Sequence, residues 1–250
     1  MFYNSVFDKN MILGSLRLVL KKYKSVRELY NALKPFFREE KEYFSYSQFT
    51  RYMKGEIPIT NKNEDIFVRF LHNNFNLATD LIQPNIDINI NATPIQVDMS
   101  RLMSYPDNLN LLAFHITHQD HLRGKFDIIL THPEAIPLAI AFSQILDIPW
   151  LSVTFRPPPV HPSRILRYPY LIDHELVATA YFISGQELHN KRLFVINDYI
   201  RRGGFLDILF RVVEDNYANV HFLFAIIGIG NAWKGFNEEL EGNMRVVHFL

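Results

Sequence analysis

Two stretches of this 250-residue sequence carry side chains whose types and spacing could do chemistry. The first is Val195-Ile196-Asn197-Asp198-Tyr199-Ile200-Arg201-Arg202-Gly203-Gly204-Phe205-Leu206. An apolar strand pattern ends in two polar residues, a short loop follows, and two glycines sit where a helical pattern begins. Backbone N–H groups and a helix N-terminus would converge there, which makes an anion site. Gly203 and Gly204 permit close backbone approach, and the Arg201 and Arg202 guanidiniums favour phosphate. On spacing alone, an ordinary strand-to-helix turn is the alternative. The second stretch opens at Tyr46 and stops at Lys54-Gly55. Phe49, Tyr52 and Met53 fall at helical spacing and are expected inward, which leaves Tyr46, Ser47, Gln48, Thr50, Arg51 and Lys54 outward. Gln can read adenine, Arg can read guanine and hydroxyls can hold phosphates, so this face suits a DNA major groove. A solvated helix on an accessory cap is the alternative.

The elements that must position these residues differ between the two halves. Residues 10–74 read as short helices. Ile12, Leu13, Leu16, Val19 and Leu20 give one apolar face, followed by Lys21, Lys22 and Lys24 at the C-terminal end. Ser25 with Glu28 forms a capping box, Val26, Leu29, Tyr30 and Leu33 supply the next stripe, and Pro35 is expected to end it. Ser45 with Gln48 repeats the cap, and Gly55 suits the left-handed residue after a helix. From about residue 95, buried-strand patterns alternate with helical ones: strands over Phe126–Leu130, Pro149–Phe155, Leu193–Ile196 and Val220–Ile227, helices over Ala135–Leu146 and Phe205–Glu214. The order predicts an α/β domain with a mainly parallel sheet, and open sheets of that kind bind ligands outside the carboxyl ends of their strands.

Ser47 to Pro58, S-Q-F-T-R-Y-M-K-G-E-I-P, resembles the recognition-helix stretch of lambda-repressor-like helix-turn-helix domains. That resemblance implies a preceding helix over Ser25–Leu33 and a closing one over Asn63–Asn74, although Lys34–Phe44 is longer than the usual turn. The Val195 junction resembles the phosphoribosyl pyrophosphate motif of type I phosphoribosyltransferases, four apolar residues, two acidic residues, four variable residues and a T-G-G-T-like end. Asp127–Ala135 falls at that family's pyrophosphate loop, with Thr131 in it, Trp150–Arg156 at its Arg-Lys strand end, and Leu166–Leu188 at its long loop and hairpin. The likeness implies a type I phosphoribosyltransferase-like domain over 76–250 after an all-α helix-turn-helix domain over 1–75. It places a phosphorylated ligand on Asn197, Asp198, Arg201, Arg202, Gly203, Gly204, Phe205, Arg156 and Thr131. Asn197 replaces an acidic residue, Phe205 replaces a small one, and Pro133-Glu134 removes an N–H and adds negative charge. Ligand binding without transfer is therefore implied, with no catalytic residue assigned. The domain logic is similar to purine-operon repressors: double-stranded DNA and a phosphorylated purine-pathway effector as partners, a homodimer, and no resident cofactor, Mg²⁺ arriving only with a phosphoribosyl pyrophosphate ligand. The rival reading is an active salvage phosphoribosyltransferase whose front module is a hood over the base.

Whole-chain composition sets the remaining bounds. The 26 basic and 26 acidic residues balance, but residues 1–75 hold 13 and 8, whereas 76–250 hold 13 and 18. That split suggests modules with different partners. With 48% hydrophobic residues, packed cores are expected, and without cysteine there is no disulfide or thiolate chemistry. No apolar run reaches the roughly 20 residues of a membrane span and no signal peptide is evident, so a cytoplasmic protein is expected. The Asn91-Ala92-Thr93 sequon then reads as chance. His115, His118 and His121 could reach zinc from one helix face, but without a base at metalloenzyme spacing they read as surface or interface histidines. Pro157-Pro158-Pro159 reads as a stiff edge. No nucleophilic triad, P-loop or dinucleotide fingerprint is present.

Overall fold

Helix α1 (Val6–Leu20) opens a computed structural model that describes residues 6–37, 44–92, 95–161, 164–172, 176–183, 188–200 and 206–250. The chain divides into two compact units, Met1–Phe114 and His115–Leu250. The expected boundary at residue 75 falls inside the first.

In the first unit, α1 is followed by α2 (Val26–Phe37), α3 (Tyr46–Lys54) and α4 (Asn61–Asn74). The caps form as their sequences require. Ser25 Oγ accepts from the Glu28 N–H while the Glu28 carboxylate accepts from the Lys24 N–H, and Ser45 Oγ accepts from the Gln48 N–H. Gly55 sits at φ 75°, ψ 16° and donates to the Arg51 and Tyr52 carbonyls. Arg17 of α1 donates from Nε and Nη2 to the Met53 carbonyl, placing a cation at the negative end of α3. An aromatic centre joins the helices: the Phe44 ring lies 4.6 Å from Phe37 and 5.3 Å from Phe67, with Phe49 and Tyr52 beside it. Pro35 does not end α2 as expected. The helix continues to Phe37, because only one hydrogen bond is lost so close to the end and buried Phe37 anchors the last turn. Beyond α4 come a π turn (Leu77–Ile82), a 3-10 turn (Gln83–Asn85), an antiparallel ribbon of β1 (Asp87–Asn89) and β2 (Gln96–Asp98), short α5 (Ser100–Met103) and α6 (Pro106–Gln119), in which the unit boundary falls. Lys22 bonds Asp80 at 2.6 Å and the Asn74 carbonyl, tying the end of α1 to the π turn.

The second unit is built on five parallel strands in the order β4-β3-β7-β8-β9. In chain order these elements are β3 (Ile128–Thr131), a 3-10 turn (Pro133–Ala135), α7 (Ile136–Leu146), β4 (Trp150–Ser152), an antiparallel hairpin of β5 (Ile165–Ile172) and β6 (Leu176–Ile183), β7 (Arg192–Ile200), α8 (Leu206–Asp215), β8 (Asn219–Gly228), α9 (Ala232–Glu239) and β9 (Met244–Phe249). Strands covered on both sides need apolar residues at every position. One face packs Leu193, Val195, Leu223 and Ala225 on Leu206, Leu209 and Val212 of α8. The alternate residues Phe194 and Phe224 each meet Phe142 of α7 at 5.1 Å. Because β4 and β7 both pair with β3, the crossovers run outward in opposite directions from a switch point between β3 and β7.

Several boundaries correct the expectation. The third core strand does not stop at Ile196. It runs on to Ile200, with Asn197 and Asp198 inside it, because β8 continues alongside to Gly228. The Pro149–Phe155 strand shortens to Trp150–Ser152, with Thr154 bridging the hairpin at Tyr181. The Ala135–Leu146 helix begins at Ile136, behind a 3-10 turn over Pro133–Ala135 that opens on Pro133.

Candidate functional site

The carboxyl ends of β3 and β7 flank the switch point, and a buried polar cluster fills it. Thr131 closes β3, and its hydroxyl donates to the Ile196 carbonyl of β7 at 2.9 Å. The next residue, His132, is 4% exposed and sits between two carboxylates: Nε2 lies 3.1 Å from Asp198 Oδ1, and Nδ1 lies 2.8 Å from Glu134 Oε2. Burial alone would pull the imidazole pKa down, but the hydrogen bonds and charges of Asp198 and Glu134 outweigh it and push it up to about 9. His132 is therefore an imidazolium at neutral pH. Burial would raise the Glu134 carboxyl, yet its bonds to His132 and to backbone hold it low.

Asp198 Oδ1 also accepts from the Tyr199 N–H, while the Asn197 amide donates to the Tyr199 carbonyl and its oxygen accepts from the Asp198 N–H. Both side chains are buried and locked to their own strand. The turn after β3 offers an anion little. Pro133 and Pro137 carry no N–H, the Ala135 N–H donates to the His132 carbonyl, and the Ile136 N–H donates to the Pro133 carbonyl. Of the expected ligand residues, Thr131, Asn197 and Asp198 meet at neighbouring strand ends. Arg156 is exposed beyond β4, where its carbonyl accepts from the Thr154 hydroxyl. Arg201, Arg202, Gly203, Gly204 and Phe205 lie outside the described residues. Sequence reading missed His132. Its only signal was an ionisable residue directly after a buried strand, and its partner Asp198 is 66 positions away.

In the helical unit, Phe49, Tyr52 and Met53 are buried as their spacing requires. Tyr46, Ser47, Arg51 and Lys54 are exposed. Gln48 is half-exposed, and its amide nitrogen donates to the Tyr52 hydroxyl at 2.7 Å, as does that of Asn63 at 2.9 Å. The Thr50 hydroxyl donates to the Tyr46 carbonyl. Arg51 and Lys54 converge on Glu56 at 3.6 and 3.7 Å. Arg27, in the first turn of α2, lies 5.6 Å from the centre of the Tyr46 ring and brings a further cation to the start of α3. Spacing within α3 alone could not find it.

The three histidines do not form a site. His115 is buried, its pKa pushed down to about 3 by burial and by His118, and His121 lies past α6 in the left-handed region at φ 51°. Among the described residues no group of three or more His, Asp or Glu side chains could hold a metal ion, and no helix is long and apolar enough to cross a membrane.

Neither a family model nor a curated protein matches the sequence. Solved structures do. The chain is similar to adenine phosphoribosyltransferase from Leishmania tarentolae at 18% identity and a TM-score of 0.53, over 70% of this chain and 89% of that one. It is similar to the Saccharomyces cerevisiae enzyme at 15% identity and 0.51, over 69% and 96%, and to that of Thermoanaerobacter pseudethanolicus at 15% and 0.50, over 62% and 88%. The α/β part of the chain thus has the type I phosphoribosyltransferase fold.

Proposed function

We propose that the protein is a DNA-binding transcription regulator whose phosphoribosyltransferase-like unit senses a phosphorylated purine-pathway metabolite without transferring its phosphoribosyl group. The observation that carries this reading is the His132–Asp198 ion pair at the switch point. A carboxylate open to the crevice could accept from ribose hydroxyls and offset an oxocarbenium charge. Here Asp198 is buried, paired with an imidazolium and bonded to its own strand, while Asn197 carries no charge. Binding without turnover is sufficient to shift a conformational equilibrium. The three solved neighbours named above are adenine phosphoribosyltransferases, which favours a purine-derived ligand. Support for a DNA partner is the exposed Ser47, Arg51 and Lys54 of α3 with Arg27 at its start. DNA readers of this type bind paired half-sites, so a homodimer belongs to the proposal.

Incubation with phosphoribosyl pyrophosphate, Mg²⁺ and a panel of purine and pyrimidine bases is expected to release no pyrophosphate, while calorimetry detects binding of a nucleotide or of phosphoribosyl pyrophosphate. Replacing Gly203 and Gly204 by bulkier residues should abolish that binding and leave the circular-dichroism spectrum unchanged. Pyrophosphate release would establish the salvage enzyme instead.

A further inference from the structure

The helical unit holds a cavity that the proposed DNA face does not use. It measures about 460 Å³ and lies between the last turn of α2 and the second half of α4, lined by Pro35, Phe36, Val68, Arg69, His72 and Asn73. Sites for small molecules have volumes of roughly 300–1,000 Å³. The helices explain which residues meet there. Val68 with His72, and Arg69 with Asn73, are pairs four residues apart and so share one face of α4, while Phe67, Phe70 and Leu71 turn into the core. Across from them, Pro35 brings an apolar ring without an N–H, two residues before α2 ends. Phe36 is half-buried, and its ring lies 5.5 Å from that of buried Phe70 with the planes at 87°. An aromatic surface is thus held in advance on the cavity wall. The lining divides chemically. Pro35, Phe36 and Val68 offer carbon surface, Arg69 carries a permanent charge, His72 and Asn73 add nitrogen donors, and none of the described lining residues is acidic. Arg69 is half-buried, its Nε donating to the Asp65 carbonyl one turn back at 3.4 Å.

We infer that this cavity binds a small aromatic carboxylate, its ring against Phe36 and Val68 and its charge on Arg69 and His72. A carboxylate matches the guanidinium fork, and such charge-assisted bonds are stronger where water is partly excluded. The inference goes beyond the proposed function and depends on neither the DNA nor the nucleotide partner. Its occupant also reaches α3. Phe37, next to Phe36, lies 4.6 Å from Phe44, the residue before the Ser45 cap. A ligand that fixes the last turn of α2 therefore steadies the entry to α3.

The probe is 2-naphthoate, titrated calorimetrically into the full chain beside two molecules of similar shape, neutral 2-naphthamide and cationic 2-naphthylmethylamine. The carboxylate is expected to bind, and the amide to bind more weakly by roughly 10-fold or more, since it lacks the charged acceptor. Val68→Phe, which adds bulk inside the cavity, should abolish binding of the carboxylate and leave the circular-dichroism spectrum unchanged. Arg69→Gln should lower the carboxylate to the affinity of the amide and leave the amide as it is in the parent. Absence of carboxylate binding to the parent, an affinity that survives Val68→Phe, or an amine that binds as tightly as the carboxylate would each overturn the inference. If Val68→Phe does not fold, Arg69→Gln decides alone: a variant that still prefers carboxylate to amide by the parental factor overturns it.

Discussion

His132 has no polar group to spare. Both ring nitrogens face carboxylates, and the side chain is buried just past the end of the β3/β7 pairing. Its pKa is raised above the unfolded value of about 6.5, so the folded chain holds a proton that the unfolded chain gives up. The resulting stabilisation is complete below about pH 6.5 and lost as pH rises through about 9. Urea midpoints measured from pH 6 to 9.5 should therefore fall at the alkaline end, and His132→Gln should flatten that fall. The same variant leaves Asp198 buried without its cation, a loss expected to cost about 3 kcal/mol. Equal midpoints for parent and variant across the range would show that the pair does not hold the strand ends together. Asp198 was legible in the sequence because it stands in a local motif. His132 was not, because the parallel pairing that brings it to Asp198 joins residues far apart in the chain.

Helix α3 was the most legible element, since each of its signals is local: Ser45 at its start, Gly55 at its end and three apolar residues between. The aromatic packing that holds it was less so, because Phe44 and Phe67 come from other segments. The end of strand β7 was hidden for the same reason, its polar residues being kept in the sheet by β8 rather than by their own composition. The packed element also qualifies the proposed DNA face. Arg51 and Lys54 share Glu56, an exposed carboxylate that would repel a phosphate. Replacing Arg51 and Lys54 with Ala should weaken duplex binding several-fold and lower the slope of log affinity against log salt by up to about 0.9 for each phosphate no longer neutralised. Glu56→Gln should act in the opposite direction and tighten binding. Filter-binding or anisotropy titrations over a salt series check both, and a Glu56→Gln curve that superposes on the parent would place the duplex elsewhere.

At the scale of the molecule, charge and fold divide the chain at different places. The first 75 residues carry a balance of +5 and contain α3, whereas the rest carry −5 and contain the phosphoribosyltransferase-like sheet. The compact units divide at 114/115 rather than at 75 and carry balances of only +2 and −2, so in the proposed regulator ligand binding at the sheet is read at the duplex through conformation rather than through charge repulsion. Linkage demands reciprocity: a metabolite that changes duplex affinity must have its own affinity changed by duplex to the same extent. The direct test is the affinity of the full chain for a duplex it has selected from a random-sequence pool, measured with and without saturating adenosine 5′-monophosphate. The regulator account predicts a shift of roughly 5-fold or more between the two titrations. Coincident titrations, with the nucleotide shown to be bound, would contradict it.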